Sequence, residues 1–274
     1  MTRFAVVVLV FFFSLPAAAD EARATYLANE GVLVQHGETS ILFDPLFDNS
    51  YNRYELVPGE MKRAMVTGEA PFDSIDAVFV SHYHGDHFAA LDMIGFMKRH
   101  PAVKLYAPGQ AVEAMREIAD LAEIDDRVVS IRLEVGETPL TFDEGTLRIG
   151  VARIPHSGWP TGMTHVENLA FRVTLDGIST VLHLGDADPR DNHFAANADY
   201  WAGESIHLAL PPYWYFLAPG GETVLGGRLQ PAASVGVHVP TDMPDDPASR
   251  PPEFVGYDLF TSPGESRVIP HQHP

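Results

Sequence analysis

Between positions 82 and 87 the chain carries three histidines and an aspartate, His82, His84, Asp86 and His87, around one glycine in "SHYHGDH". Any fold this sequence adopts must either converge these groups on a cation or find each of them a hydrogen-bond partner. The run before them, "IDAVFVSH" (75–82), is continuously apolar and rich in β-branched and aromatic residues, the pattern of a strand buried on both faces. The run after them places Phe88, Leu91, Ile94 and Met97 at helical spacing, with a stop at Pro101. The motif is therefore expected in a strand-to-helix loop. Residues two apart in an extended chain project to one side, so His82 and His84 can share a cation. Gly85 lets the backbone turn, and Asp86 and His87 can then address a second cation. Imidazoles with a carboxylate and no thiolate suit zinc, with manganese or iron compatible.

One such cluster cannot saturate two cations, so further ligands must come from other strand ends on the same rim. Three places qualify: His156 in "ARIPHSGWP", Asp186 in "TVLHLGDADP" and His238 in "SVGVHVP". An aspartate between two cations can join them and reduce their repulsion.

Elsewhere short β-rich runs alternate with two amphipathic helices. "GVLVQHGETSILFDP" (31–45) reads as two strands around a Gly37-Glu38 turn, and "VKLYAP" (103–108) as a strand. Residues 110–123 read as the second helix. "TLRIGVARIP" is a further strand, "NLAFRVTLDGISTVLHLGD" a hairpin turning at Asp176-Gly177, and 205–212 and 234–240 late strands. A short helix is expected over 222–229 and an exposed proline-rich loop over 240–252. The stretch 46–73 shows no period and reads as a long loop or flap.

The first residues, "MTRFAVVVLVFFFSLPAAAD", have a basic start, an apolar run from Phe4 to Leu15 and small residues at Ala17 to Ala19. That is the pattern of a signal peptide over 1–19, with an apolar run too short to span a bilayer, so export to the periplasm or outside is expected and no membrane anchor after cleavage. The remainder, 20–274, is expected to form one domain. With no cysteine, an exported chain has no disulfide, and packing and bound metal must stabilise it. A net charge of −19 with scattered basic residues argues against a nucleic-acid partner and against strongly anionic substrates.

The His-x-His-x-Asp-His motif, the later lone His156, the Gly185-Asp186 at a strand end and the last His238 resemble the metallo-β-lactamase superfamily in kind and order. The resemblance spans nearly the whole chain after the leader. It implies an α/β (α+β) fold, a four-layer αββα sandwich with metals at one edge of two sheets. It also implies that His82, His84 and His156 hold one divalent metal, Asp86, His87 and His238 another, and that Asp186 joins the two. The cysteine ligand of many true β-lactamases has no counterpart here. "PHSGWP" replaces the Gly-His-Thr-Pro-Gly segment of glyoxalase II-like members and looks more like the branch of ascorbate-phosphate lactonases and phospholipase D-type phosphodiesterases.

Two cations a few ångströms apart, most plausibly Zn2+, lower the pKa of a water between them and supply a nucleophile near neutral pH. Asp86 is expected to accept a proton in catalysis, and His165, His183, His193 and Tyr213 are candidates for protonating the leaving group. Trp159, three residues after His156, and the aromatic run Tyr213, Trp214 and Tyr215 are expected to wall a substrate pocket. His36, His183 and His207, inside strand-like runs, read as satisfied structural residues, with His183 also placed to support Asp186. The expected activity is hydrolysis of an ester, lactone or phosphodiester in a small molecule. A non-catalytic, zinc-buffering protein is the competing class, but a buffer gains nothing from a shared aspartate. A di-iron redox member would usually carry a carboxylate at the position of His84.

Overall fold

Strands that are apolar on both faces force sheets to be covered on both sides, and this chain solves the problem with two sheets packed together and helices outside each. The computed structural model describes residues 21–271, so the expected leader lies outside the described residues. In chain order the elements are β1 (Arg23–Ala28), β2 (Gly31–His36), β3 (Thr39–Phe43), α1 (Gly59–Thr67), β4 (Ala77–Phe79), α2 (Ala90–Arg99), β5 (Lys104–Pro108) and α3 (Gly109–Ile118). There follow β6 (Val128–Ile131), β7 (Leu140–Glu144), β8 (Leu147–Arg153), β9 (Leu169–Leu175), β10 (Ser179–His183), α4 (Asp191–Ala195), α5 (Ala198–Ala202), β11 (Leu208–Leu210), β12 (Ala233–Ser234) and β13 (Ser266–Val268).

The first sheet runs β13-β1-β2-β3-β4-β5-β6 and the second β12-β11-β10-β9-β8-β7. Strands β3 to β6 are parallel to one another, as are β10, β11 and β12, while the hairpins β2-β3 and β9-β10 are antiparallel. Period-two alternation sorts each strand between two apolar layers. In β3 and β4, Ile41, Phe43, Ala77 and Phe79 point between the sheets, and Leu42 and Val78 point to the helices α1, α2 and α3. The second sheet does the same: Phe171, Val173 and Val181 face inward, while Ala170 and Leu182 meet α4 and α5 with Phe194 and Trp201. Three apolar layers thus separate four layers of structure, the αββα sandwich expected, in one domain.

Four expectations need correction. The 46–73 stretch contains α1, whose only fully buried side chain is Met65, so its sequence shows no apolar stripe. Helix α2 starts at Ala90 and buries Met93, Ile94, Phe96 and Met97, leaving Leu91 at 67% exposure on the outer face. Helix α3 stops at Ile118, short of 123. The expected strand 234–240 pairs continuously only at β12, and thereafter Gly236, Val237 and Pro240 make single bridges to three different segments. His238 sits among them at φ 57°, a left-handed conformation through which no strand continues. The short helix expected over 222–229 is present, as a π-helix over Thr223–Leu229. No helix among the described residues is long and apolar enough to cross a membrane.

Candidate metal centre

The carboxyl ends of β3, β4, β8 and β10 all open on one rim, and each delivers a polar residue within three positions of the strand's end. After β4, Val80 still bonds to the carbonyl of Tyr106, then the chain leaves the sheet through His82 to His87, and the His84 carbonyl accepts from the amides of His87 and Phe88. After β8 comes His156, bridged antiparallel to Ala187. After β10 comes Gly185, at φ 53°, where a side chain would collide with Asn168 and Ser81, so the turn that presents Asp186 admits only glycine. His238 arrives from the far side of the second sheet, its amide bonded to the carbonyl of Asn29 at 2.9 Å.

All seven residues expected as ligands meet here, and six of them are buried. His82 Nε2 lies 3.1 Å from His84 Nδ1, and with His156 these imidazoles form one group able to hold a metal. Asp86, His87 and His238 form a second, with the Asp86 carboxylate 3.7 Å from His87 Nε2 and 3.3 Å from His238 Nε2. Asp186 stands between the groups. One of its oxygens is 3.1 Å from His156 Nε2, while the other is 3.2 Å from His238 Nε2 and 3.6 Å from His87 Nε2.

The residues fit divalent metal on two counts. Tetrahedral zinc with nitrogen ligands at about 2.0–2.1 Å requires donor atoms about 3.3 Å apart, which is the spacing found. The Nε2 atoms of His87, His156 and His238 and one Asp186 oxygen are also buried without a hydrogen-bond partner, a cost of about 1–3 kcal/mol each that a cation removes. Burial, then the neighbouring imidazoles, hold His82 well below the ordinary histidine range and His84 down to about 4, so both are neutral and able to ligate. His87 goes the other way: burial alone would lower it, but the carboxylates of Asp186, Asp44, Asp86 and Glu30 outweigh burial and raise it. Asp86 and Asp186, raised by burial, are pulled below the usual carboxylate range by His238 and His87.

Several supporting residues went unread in the sequence. Asp44, just past β3, accepts from the Ser81 amide at 2.7 Å, from the Ser81 hydroxyl at 2.5 Å, and contacts His87 Nδ1 at 2.9 Å, which fixes the His87 ring with Nε2 toward the site. Asn168 accepts from the Asp186 amide and donates to the carbonyls of Ile154 and Leu184, so it fastens the loops after β8 and β10 together. Asn29 donates to the Asp86 carbonyl. Behind His87, Glu30 is fully buried with no hydrogen bond to either oxygen and His183 Nε2 at 3.5 Å, and burial pushes it well above the carboxylate range. The one available sign was "FDP", a charge placed directly after an apolar strand.

The surrounding aromatic residues fall differently from expectation. Trp214 packs edge-on against the His238 ring at 5.2 Å, and Tyr54, from the supposed flap, does so at 4.1 Å. The half-buried Trp159 lies edge-on to His193 at 5.1 Å, with the Arg190 guanidinium over its ring. Tyr213 is at the rim, its hydroxyl accepting from Arg53 at 3.0 Å. Tyr215 must be withdrawn from the pocket: it is fully buried among Val224, Leu229 and Trp201. His183 does not touch the Asp186 carboxylate either; it spans the Glu30 carbonyl and the Gly185 amide and stacks on Phe43, so it shapes the turn rather than the ligand. His165 meets Tyr83, and His193 faces Asp188 at 3.4 Å.

The model of the β-lactamase superfamily domain matches residues 39–202, from β3 through α5. The chain belongs to that superfamily. Ribonuclease Z of Picrophilus torridus is 24% identical over 109 residues, which are 38% of this chain and 35% of that enzyme, so the match spans about a third of its length. Among solved structures, the metallo-β-lactamase fold protein YhfI of Bacillus subtilis superposes with a TM-score of 0.58 at 18% identity, over 90% of this chain and 99% of its own. A possible metal-dependent hydrolase of Veillonella parvula gives 0.60 at 12% identity (91% and 100%). Igni18, a metallo hydrolase of Ignicoccus hospitalis, gives 0.56 at 17% (92% and 99%). These likenesses show the fold, and the chemistry has to be argued from the side chains.

Proposed function

We propose that this superfamily member is a dinuclear metal-dependent hydrolase, exported to the periplasm or beyond, that cleaves an ester, lactone or phosphodiester in a small molecule. The observation that carries the reading is the pair of ligand groups sharing one aspartate: the two Asp186 oxygens face His156 and His238 separately. His82, His84 and His156 would hold one cation and Asp86, His87 and His238 the other, and imidazoles with carboxylates suit Zn2+. When bound, divalent cations acidify water and polarise the oxygen under attack. Asp86, kept ionised beside His238, is the group positioned to take a proton from the nucleophile. Burial keeps Tyr54 protonated beyond its ordinary range, so its hydroxyl can donate to an oxygen that gains charge. Trp214, Tyr54 and Trp159 give the mouth apolar faces that exclude water and orient a substrate.

A zinc-buffering role would need the donors but not the shared carboxylate. The test is metal content by mass spectrometry together with turnover on bis-p-nitrophenyl phosphate and a panel of small lactones, for wild type and Asp186→Ala. Two metals per chain in the wild type, and at least about a thousandfold loss of turnover in the variant, are expected. Tight metal binding with no turnover on any of these would favour the buffering role, and a metal-free wild type would sink both.

A further inference from the structure

In so acidic a chain, a cation with no carboxylate in contact is informative. Lysines and arginines number 18 against 37 aspartates and glutamates. Among the described residues, nearly every one lies within 4.0 Å of a carboxylate. Arg127 and Arg250 are instead saturated by backbone carbonyls, three contacts each. Arg53 and Arg99 have neither contact, and the one carboxylate that acts on Arg53, Asp242, does so from beyond 4.0 Å. Arg99 ends α2 on the outer layer, whereas Arg53 is an exposed residue next to Tyr54, whose ring meets the His238 imidazole.

Its position there is built. The Arg53 carbonyl accepts from the Thr241 amide at 2.9 Å, and Tyr54 bridges to Pro240, so this segment is fastened to the one that carries His238. The neighbouring Tyr54 ring touches His238. The guanidinium is aimed by one hydrogen bond to Tyr213, which uses the phenol oxygen as acceptor and leaves the phenol proton to donate. Arg53 and Tyr213 therefore offer a planar fork and a hydroxyl toward the same space, an arrangement suited to an oxyanion.

We propose that Arg53, seconded by Tyr213, recognises a single negative group, a carboxylate or a phosphate monoanion, that the substrate carries apart from its scissile bond. The assignment rests on the hydrolase reading and narrows it. One guanidinium in a chain of net charge −19 favours one negative charge and not several.

The test compares mono-4-nitrophenyl glutarate with the neutral 4-nitrophenyl valerate on the metal-loaded protein. Wild type should prefer the anionic ester. Arg53→Gln should reduce the anionic-to-neutral ratio of kcat/KM about tenfold, through KM, and Arg53→Lys should restore part of it. Arg99→Gln, the same change in charge at a distance, should leave the ratio alone. An unchanged ratio in Arg53→Gln, or an equal fall in Arg99→Gln, would overturn the assignment. If neither ester is turned over, ester hydrolysis fails separately, and calorimetry with glutaramate, its phosphonate analogue and neutral glutaramide decides the anion site. Tenfold weaker binding of either anion in Arg53→Gln supports it and tells carboxylate from phosphonate, whereas equal binding of both anions rejects it.

Discussion

At the scale of single residues the centre depends on side chains that never face the metals. Asp44 collects the Ser81 amide, the Ser81 hydroxyl and His87 Nδ1 in one carboxylate. Asparagine at this position keeps the shape but turns one acceptor into a donor, so His87 loses both its orientation and the charge that strengthens it as a ligand. Asp44→Asn should weaken one metal site about 10–100-fold and leave the other, built on His82, His84 and His156, near wild type. Chelator competition would show this as one weakened step of two; parallel weakening of both would mean that Asp44 acts on folding alone. This division also explains what the sequence revealed. The seven donors were legible because a metal demands the same few atoms wherever they occur. Asp44, Asn29 and Asn168 were not, because their roles exist only once residues 37, 57 and 18 positions away are brought to them.

At the scale of elements, legibility followed burial. The hairpins β2-β3 and β9-β10 could be read because their apolar positions, such as Val32 to Val34, Ile41 to Phe43 and Leu169 to Phe171, alternate between two apolar layers. Helix α1 could not, because one buried side chain makes no period, and the end of the last strand could not, because the left-handed His238 interrupts a run whose valines still alternate inward. On the rim opposite the metals the two hairpins are tied together. The Asp176 turn residue contacts His36 Nδ1 at 2.6 Å and accepts from Thr39 at 2.8 Å, which explains why His36 is structural. Asp176→Ala removes both contacts and places alanine at φ 53°. A loss of about 2 kcal/mol in urea unfolding is expected, with metal content unchanged, since the candidate metal ligands lie at the other end of the same strands. A loss of metal along with stability would show that the two rims are coupled.

At the scale of the whole molecule, bound metal would supply the cross-linking that a chain without cysteine cannot obtain from disulfides. Its ligands come from loops of both sheets, so bound cations would tie together halves that otherwise meet through the apolar layer and the Asp176 contacts on the opposite rim. At a free metal concentration about a thousand times the Kd, linkage adds about 4 kcal/mol, or about 8–16 °C in melting temperature for a domain of this size. Chelation should lower the transition by that order. The centre's pH response follows from its two kinds of histidine. Burial depresses His82, His84 and His183 in the folded chain, so the unfolded chain takes up these protons first. Their contribution is full above about pH 6.5 and is lost as pH falls, for His84 toward about 4. His87 has the opposite sign. Its folded affinity for a proton is raised by Asp186 and Asp44, so its contribution is full below about pH 6.5 and disappears as pH rises through its raised value. A proton on His87 in the metal-free chain must leave before Nε2 can ligate. Zinc titrated at pH 7 in buffers of different ionisation enthalpy should therefore release about one proton per chain, and zinc affinity should rise with pH through neutrality. Uptake without proton release would mean that His87 stays charged beside its carboxylates, and the second ligand group would then have to be rebuilt without it.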